Sequence, residues 1–240
     1  MKFLVVQHIS IEHPGIFCEF MHKGGVSWDT VELDEGENIP ALDSYDALLV
    51  MGGPMDVFEE DLFPWLKNEK KIIRHWVNDL HKPYLGICLG HQLLAASLDG
   101  KVCKMIEPEV GVMDVTLTKA GKVDRLMKGV SNSHSCLQWH GCEITKLPNA
   151  AEVLAKSKKC ANQAIRVGNN AWGLQYHLEI TENTISQWGA IPSYLEGLQI
   201  TTGQSSLDPL DKAVSYKIDE FHETAHNIYK NFIEIVSDSK

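Results

Sequence analysis

The stretch Pro83-Tyr84-Leu85-Gly86-Ile87-Cys88-Leu89-Gly90-His91-Gln92-Leu93-Leu94-Ala95-Ala96 changes character in its middle. Its first residues form a short apolar run of strand type, and from His91 onward the composition favours a helix. The change falls at Cys88, with glycine two positions before it and two after. A sharp strand-to-helix turn strains the backbone of its central residue, and small residues at those flanking positions relieve the crowding. The spacing predicts a nucleophile elbow with Cys88 at its apex. Over the first turn of a helix, the sulfur meets unpaired N–H groups and the positive end of the helix dipole, which favour the nucleophilic thiolate. Gly-x-Cys-x-Gly alone also fits a buried structural cysteine at an ordinary turn.

Outward from this turn, strand-like runs at 3–7, 47–51 and 84–88 each end near glycine or a turn, with helical patterns between them. That alternation suggests a parallel sheet. Between the second and third runs, Trp65, Leu66, Ile72, Ile73, Trp76, Val77 and Leu80 share one helical face, and Lys67, Glu69, Lys70 and Arg74 take the other. An amphipathic helix is expected to cover the sheet there. From 101 to 174 the texture turns to short, often alternating segments (112–118, 136–141, 152–157, 163–167 and 171–175), predicting a strand-rich half. The closing segment spaces Val214, Ile218, Phe221, Ala225, Ile228, Phe232 and Ile235 at steps of four and three, the stripe of a long amphipathic helix. Such a stripe fits packing on the protein's own sheet or on a partner helix.

A chain of 240 residues, 44% hydrophobic and 22% charged, without repeats or low complexity, is expected to form one large α/β core. A net charge of −10 with no Lys/Arg-rich run argues against a nucleic-acid partner. The opening apolar run at 1–6 is too short for a signal sequence or a membrane span. Six scattered cysteines without a Cys-x-x-Cys pair argue against a disulfide framework, so a cytoplasmic protein free of membrane is expected.

A thiolate that attacks an amide needs a base able to return a proton to the leaving nitrogen, and histidine titrates in the right range. Eleven histidines compete. His177 ends the strand-like run Gly173-Leu174-Gln175-Tyr176, and Glu179 follows two positions later, on the same face of an extended segment. Glu179 could then orient the imidazole, the third-group role of a triad, although an exposed His–Glu pair has the same spacing. The oxyanion needs converging backbone donors, for which the Leu89 N–H and the loop Met51-Gly52-Gly53-Pro54 are suited.

In this order, Gly52-Gly53-Pro54, Gly86-Ile87-Cys88-Leu89-Gly90-His91-Gln92 and Gly173-Leu174-Gln175-Tyr176-His177-Leu178-Glu179 resemble the motifs of class I glutamine amidotransferases. The resemblance spans roughly 1–180 and is nearest to stand-alone members similar to the glutaminase half of GMP synthase. It implies a flavodoxin-like α/β domain over 1–180, with a central mostly parallel sheet flanked by helices, and a helical C-terminal segment, 181–240, packed on the same domain. It implies Cys88 as nucleophile, His177 and Glu179 as its partners, and the Gly53 and Leu89 amides as oxyanion donors. Gly52, Gln92, Gln138, Trp139 and His140 are expected to contact substrate. Neither a metal nor another cofactor is implied. Two departures stand out: Leu178 where the family usually has proline, and Cys142 where an acid commonly follows His-Gly.

The implied activity is attack of Cys88 on a γ-glutamyl amide, giving a glutamyl thioester, then ammonia and glutamate. With no Gly-x-x-x-x-Gly-Lys-Ser/Thr loop, ATP-driven amination is not assigned to this chain, and ammonia would pass to a separate synthetase chain. The alternatives are a γ-glutamyl peptidase releasing another amine and a noncatalytic regulatory protein on the same fold. His222-Glu223-Thr224-Ala225-His226 matches a zinc-protease pattern. No histidine follows as a third ligand, and both histidines flank an apolar helical stripe.

Overall fold

Phe3 and Val5 of the first strand enter one buried cluster, whereas Leu4 and Val6 enter another. Because successive side chains point to opposite faces, a strand apolar on both belongs inside a sheet covered on both sides. The computed structural model describes residues 1–203 and 206–239. In chain order it contains β1 (Lys2–Gln7), α1 (Ile16–Lys23), β2 (Ser27–Glu32), β3 (Ala47–Val50), α2 (Trp65–Asn78), β4 (Tyr84–Ile87) and α3 (Leu89–Ser97). Then follow β5 (Lys101–Leu117), β6 (Ser133–Lys146), β7 (Ala151–Lys156), β8 (Ala164–Val167), β9 (Ala171–Leu174), α4 (Thr184–Trp188), α5 (Pro192–Thr202) and α6 (Asp208–Asp238).

Among the described residues the strands form a nine-stranded sheet in the order β2-β1-β3-β4-β9-β8-β7-β5-β6. Pairing is parallel from β2 to β9 and antiparallel from β9 to β6. Helices α2 and α3 cover one face of the parallel half, and α1 and α6 the other. This is the expected single α/β domain with flanking helices. Its two halves meet at β9, beside the end of β4, so residues just beyond Ile87 and Leu174 emerge together. Crevices outside strand carboxyl ends are where open α/β sheets bind ligands.

Several elements depart from expectation. Strand β2 was not anticipated because it is an edge strand with only Val31 buried, so it lacks an apolar run. The segments expected at 112–118 and 136–141 are parts of much longer strands of 17 and 14 residues. Strand β5 loses register with β6 between Lys104 and Glu109, around Pro108, which has no N–H to give a ladder. On α2, Glu69 is buried to 1% exposure rather than sharing the solvent face with Lys67 and Arg74.

The α6 stripe packs on the protein's own sheet: Val214, Phe221, Ala225, Ile228, Phe232 and Ile235 are buried in the cluster that holds Phe3 and Val5. Phe232 meets Phe3 edge-on at 5.9 Å. Each large apolar side chain buried this way contributes about 1.5–3 kcal/mol. Among the described residues no helix is long and apolar enough to cross a membrane.

His91 on α3 is fully buried, and a Cβ on Gly173 would lie 2.6 Å from its Nδ1. Burial lowers it from an ordinary 6.5 to about 3. It is therefore neutral in the fold but protonates in the unfolded chain as pH falls. The stability it contributes is complete above about 6.5 and is lost as pH drops towards 3, by up to about 1.4 kcal/mol per pH unit. Urea midpoints measured from pH 7 to 4 should fall less steeply for His91→Leu than for the parent.

Candidate active site

Cys88 alone separates β4 from α3, with φ 51° and ψ −101°. A non-glycine residue held there costs about 1–3 kcal/mol and persists only where its surroundings over-determine it. The surroundings do so. A Cβ on Gly90 would lie 2.1 Å from the Val50 carbonyl oxygen, and one on Gly86 would lie 2.5 Å from the Gly90 backbone. The Cys88 N–H donates to Leu174 O at 2.8 Å, the Gly90 N–H to Met51 O at 3.1 Å, and the Gln92 N–H to Cys88 O at 3.1 Å.

His177 is clamped from behind by an isolated antiparallel bridge to β6: its N–H donates to Leu137 O at 2.9 Å and its carbonyl accepts Leu137 N–H at 3.1 Å. Its Nδ1 lies 2.7 Å from Glu179 Oε1, and both side chains are buried. The remaining Glu179 oxygen accepts the Leu178 N–H at 3.0 Å. Proline at 178 would lack that donor, so the Leu178 departure gives the carboxylate an additional anchor. Among the described residues Nε2 of His177 has no hydrogen-bond partner, and Cys88 is the ring's electrostatic neighbour. Burial opposes a charge on the ring, but Glu179 and Cys88 outweigh it and hold His177 well above the ordinary histidine range.

Four further residues, none given a role from the sequence, surround this pair. Gln175 donates from Nε2 to the Cys88 sulfur at 3.6 Å, and its Oε1 accepts from Gln92 Nε2 at 3.1 Å. Trp188 packs edge-on against His177 at 4.6 Å. Tyr194 donates its hydroxyl to Glu12, a buried carboxyl whose affinity for a proton burial raises. Glu12, His177 and Glu179 each bring one ligand-type atom within 4.8 Å of the others, close enough for a cation, and two of these three side chains are also bonded directly to each other. Gln175 was legible as a polar residue inside an apolar strand end; Glu12, Trp188 and Tyr194 arrive from loops and helices distant in sequence.

Cys88 opens onto a cavity of about 370 Å³. Of the residues expected around substrate, Gly53, Leu89, Gln92, Trp139 and His140 line it. Gln138 does not: its side chain is fully buried and donates to Cys136 Sγ at 3.6 Å. Gly52 also lies outside the lining, its carbonyl 2.8 Å from His8 Nδ1. The His140 ring is engaged in the scaffold, with Nδ1 2.9 Å from Cys142 O and Nε2 3.2 Å from Glu109 Oε2. At the Cys142 departure, the thiol donates to Asp56 Oδ1 at 3.0 Å, so an acid reaches this place from the loop after Gly53. Lys104 pairs with Asp56 at 3.3 Å on the cavity wall. The zinc-type pair is engaged elsewhere: His222 Nε2 lies 2.8 Å from Ile180 O, and exposed His226 meets Phe20 edge-on.

The model of the glutamine amidotransferase class-I family matches residues 17–187. A subunit of glutamine-hydrolyzing GMP synthase from Sulfolobus acidocaldarius is 29% identical, over 63% of this chain and 77% of its own length. Gamma-glutamyl peptidase 4 of Arabidopsis thaliana is 25% identical, over 91% of this chain and 86% of its own. The crystal structure of a glutamine amidotransferase from Thermotoga maritima superposes with a TM-score of 0.86 at 26% identity, covering 98% of both chains. With its cysteine elbow, buried histidine and carboxylate inside that matched span, the chain belongs to the class I glutamine amidotransferase family.

Proposed function

We propose that this protein hydrolyses a γ-glutamyl amide through a thioester on Cys88, with glutamine as the simplest substrate. The observation that carries the reading is the buried His177, anchored on Glu179 through Nδ1 and unpartnered at Nε2 beside Cys88. The Cys88 sulfur attacks the γ-carboxamide carbon, and the carbonyl electrons move to oxygen. That oxyanion accepts from Gly53 N–H and from Leu89 N–H in the first turn of α3, where backbone donors lack intrahelical partners. As the C=O bond reforms, the C–N bond breaks and the nitrogen leaves with the proton of the His177 imidazolium. Neutral His177 then takes a proton from water as it attacks the thioester, and glutamate departs from a restored Cys88 thiolate. Glu179 holds the ring in one orientation throughout. Asp56 and Lys104, opposite charges on the cavity wall, suit the α-ammonium and α-carboxylate of the glutamyl group.

Under this reading ammonia passes to a separate synthetase chain, as the likeness to one subunit of GMP synthase supports. The cavity favours a second reading. It is also walled by Met105, Ile106 and Pro108 of the irregular part of β5 and by Gly197 and Ile200 of α5. That leaves room for an amine larger than ammonia, as in a γ-glutamyl peptidase. Glutamate, ammonia and amine release should be followed with glutamine and with γ-glutamyl dipeptides. Faster ammonia release selects the first reading and faster amine release the second. No release from any of them, or undiminished release by Cys88→Ala, overturns both.

A further inference from the structure

His8 directly follows β1 and is completely buried, with both ring nitrogens engaged. Nδ1 lies 2.8 Å from the Gly52 carbonyl oxygen and Nε2 2.9 Å from Glu69 Oε1, while Trp65 stacks on the ring at 5.5 Å. A carbonyl oxygen can only accept, so the Nδ1 proton is fixed on the side of Gly52. Burial works against a charged ring, but Glu69 overcomes it and raises His8 above the ordinary histidine range. None of His8, Glu69 and Trp65 lines the cavity. A buried His–Glu pair offers little net stability over apolar residues of the same shape, so packing alone does not account for it.

Geometry supplies the reason. The Gly52–Gly53 peptide is trans, so the Gly52 carbonyl and the Gly53 N–H point in opposite directions. His8 holds the carbonyl on its own buried side, which turns the N–H towards the side where Gly53 and Cys88 line the cavity together. Two successive glycines leave this peptide free to rotate unless something grips it. His8 grips it twice, since its Cβ also packs against Gly53, where a Cβ would lie 2.8 Å away.

We propose that His8, braced by Glu69, is a positioning residue that keeps the Gly52–Gly53 peptide presenting its N–H to the oxyanion formed at Cys88. The proposal rests on the hydrolase reading above. In the intact protein, His8→Leu should lower kcat for the γ-glutamyl amide turned over fastest by about 10²-fold, the scale of one lost oxyanion donor, with KM changed less than about threefold. Alkylation of Cys88 by iodoacetamide, which forms no oxyanion, should keep its parental rate. His8→Asn, whose amide can still donate to Gly52 O, should recover kcat to within about tenfold of the parent. Should His8→Leu fail to fold, Glu69→Met, which leaves His8 unbraced, should show the same kcat loss without loss of alkylation. Parental kcat in the folded loss variant, or alkylation falling in step with kcat, overturns the proposal. If the parent protein turns over no γ-glutamyl amide, the proposal falls with the reading beneath it, an outcome distinct from an active parent with an equally active variant.

Discussion

Replacing His177 with glutamine should lower kcat for γ-glutamyl amide hydrolysis by about 10³–10⁴-fold while leaving the protein folded. Glutamine fills a similar volume, and its amide can donate to Glu179 Oε1, so the buried carboxylate keeps the partner it now has at 2.7 Å. What it cannot do is carry a proton. The leaving nitrogen would then depart unprotonated, and water would attack the thioester without a base. Alkylation of Cys88 should slow as well, because the imidazolium facing the sulfur is gone. This distinguishes His177→Gln from His8→Leu, where alkylation is unaffected. Steady-state kinetics beside a urea curve check both halves, and a variant within tenfold of parental kcat would remove His177 from the mechanism.

The second large effect is on folding. Gly90→Ala places a Cβ 2.1 Å from the Val50 carbonyl oxygen and 2.8 Å from its carbon, and both are backbone atoms of β3 that no rotamer change can move. Helix α3 must lift from the sheet. The expected destabilisation is about 2–4 kcal/mol, the upper range for overpacking. In a domain of this size about 3 kcal/mol corresponds to a Tm lower by roughly 6–12 °C. Gly141→Ala is the control, since a Cβ there meets nothing within 4 Å and stability should stay within about 0.5 kcal/mol. Equal melting of the two variants would contradict the tight-elbow geometry.

Much of this architecture was legible locally. The elbow reads from the glycines flanking Cys88, the parallel core from apolar strands alternating with helices, and α6 from a stripe that is buried except at Ile218, which is half-buried. Much of what escaped depends on a partner far along the chain. Glu69 sits among lysines on α2 and looks solvated until His8 comes within 2.9 Å of it. Asp56 gains meaning only beside Cys142, and Tyr194 only beside Glu12. At Gln138 a motif names a segment without saying which of its side chains faces the cavity: this one is buried against Cys136, whereas its neighbour Trp139 lines the wall. Strand β2 was missed because, at the sheet edge, it has little apolar surface to display.

The central claim is a glutamyl thioester on Cys88. Intact-mass analysis of the protein, acid-quenched during turnover of glutamine or a γ-glutamyl dipeptide, should reveal an added glutamyl group that maps to the Cys88 peptide and is absent from Cys88→Ala. Turnover without that adduct, or an adduct on another residue, would contradict the account.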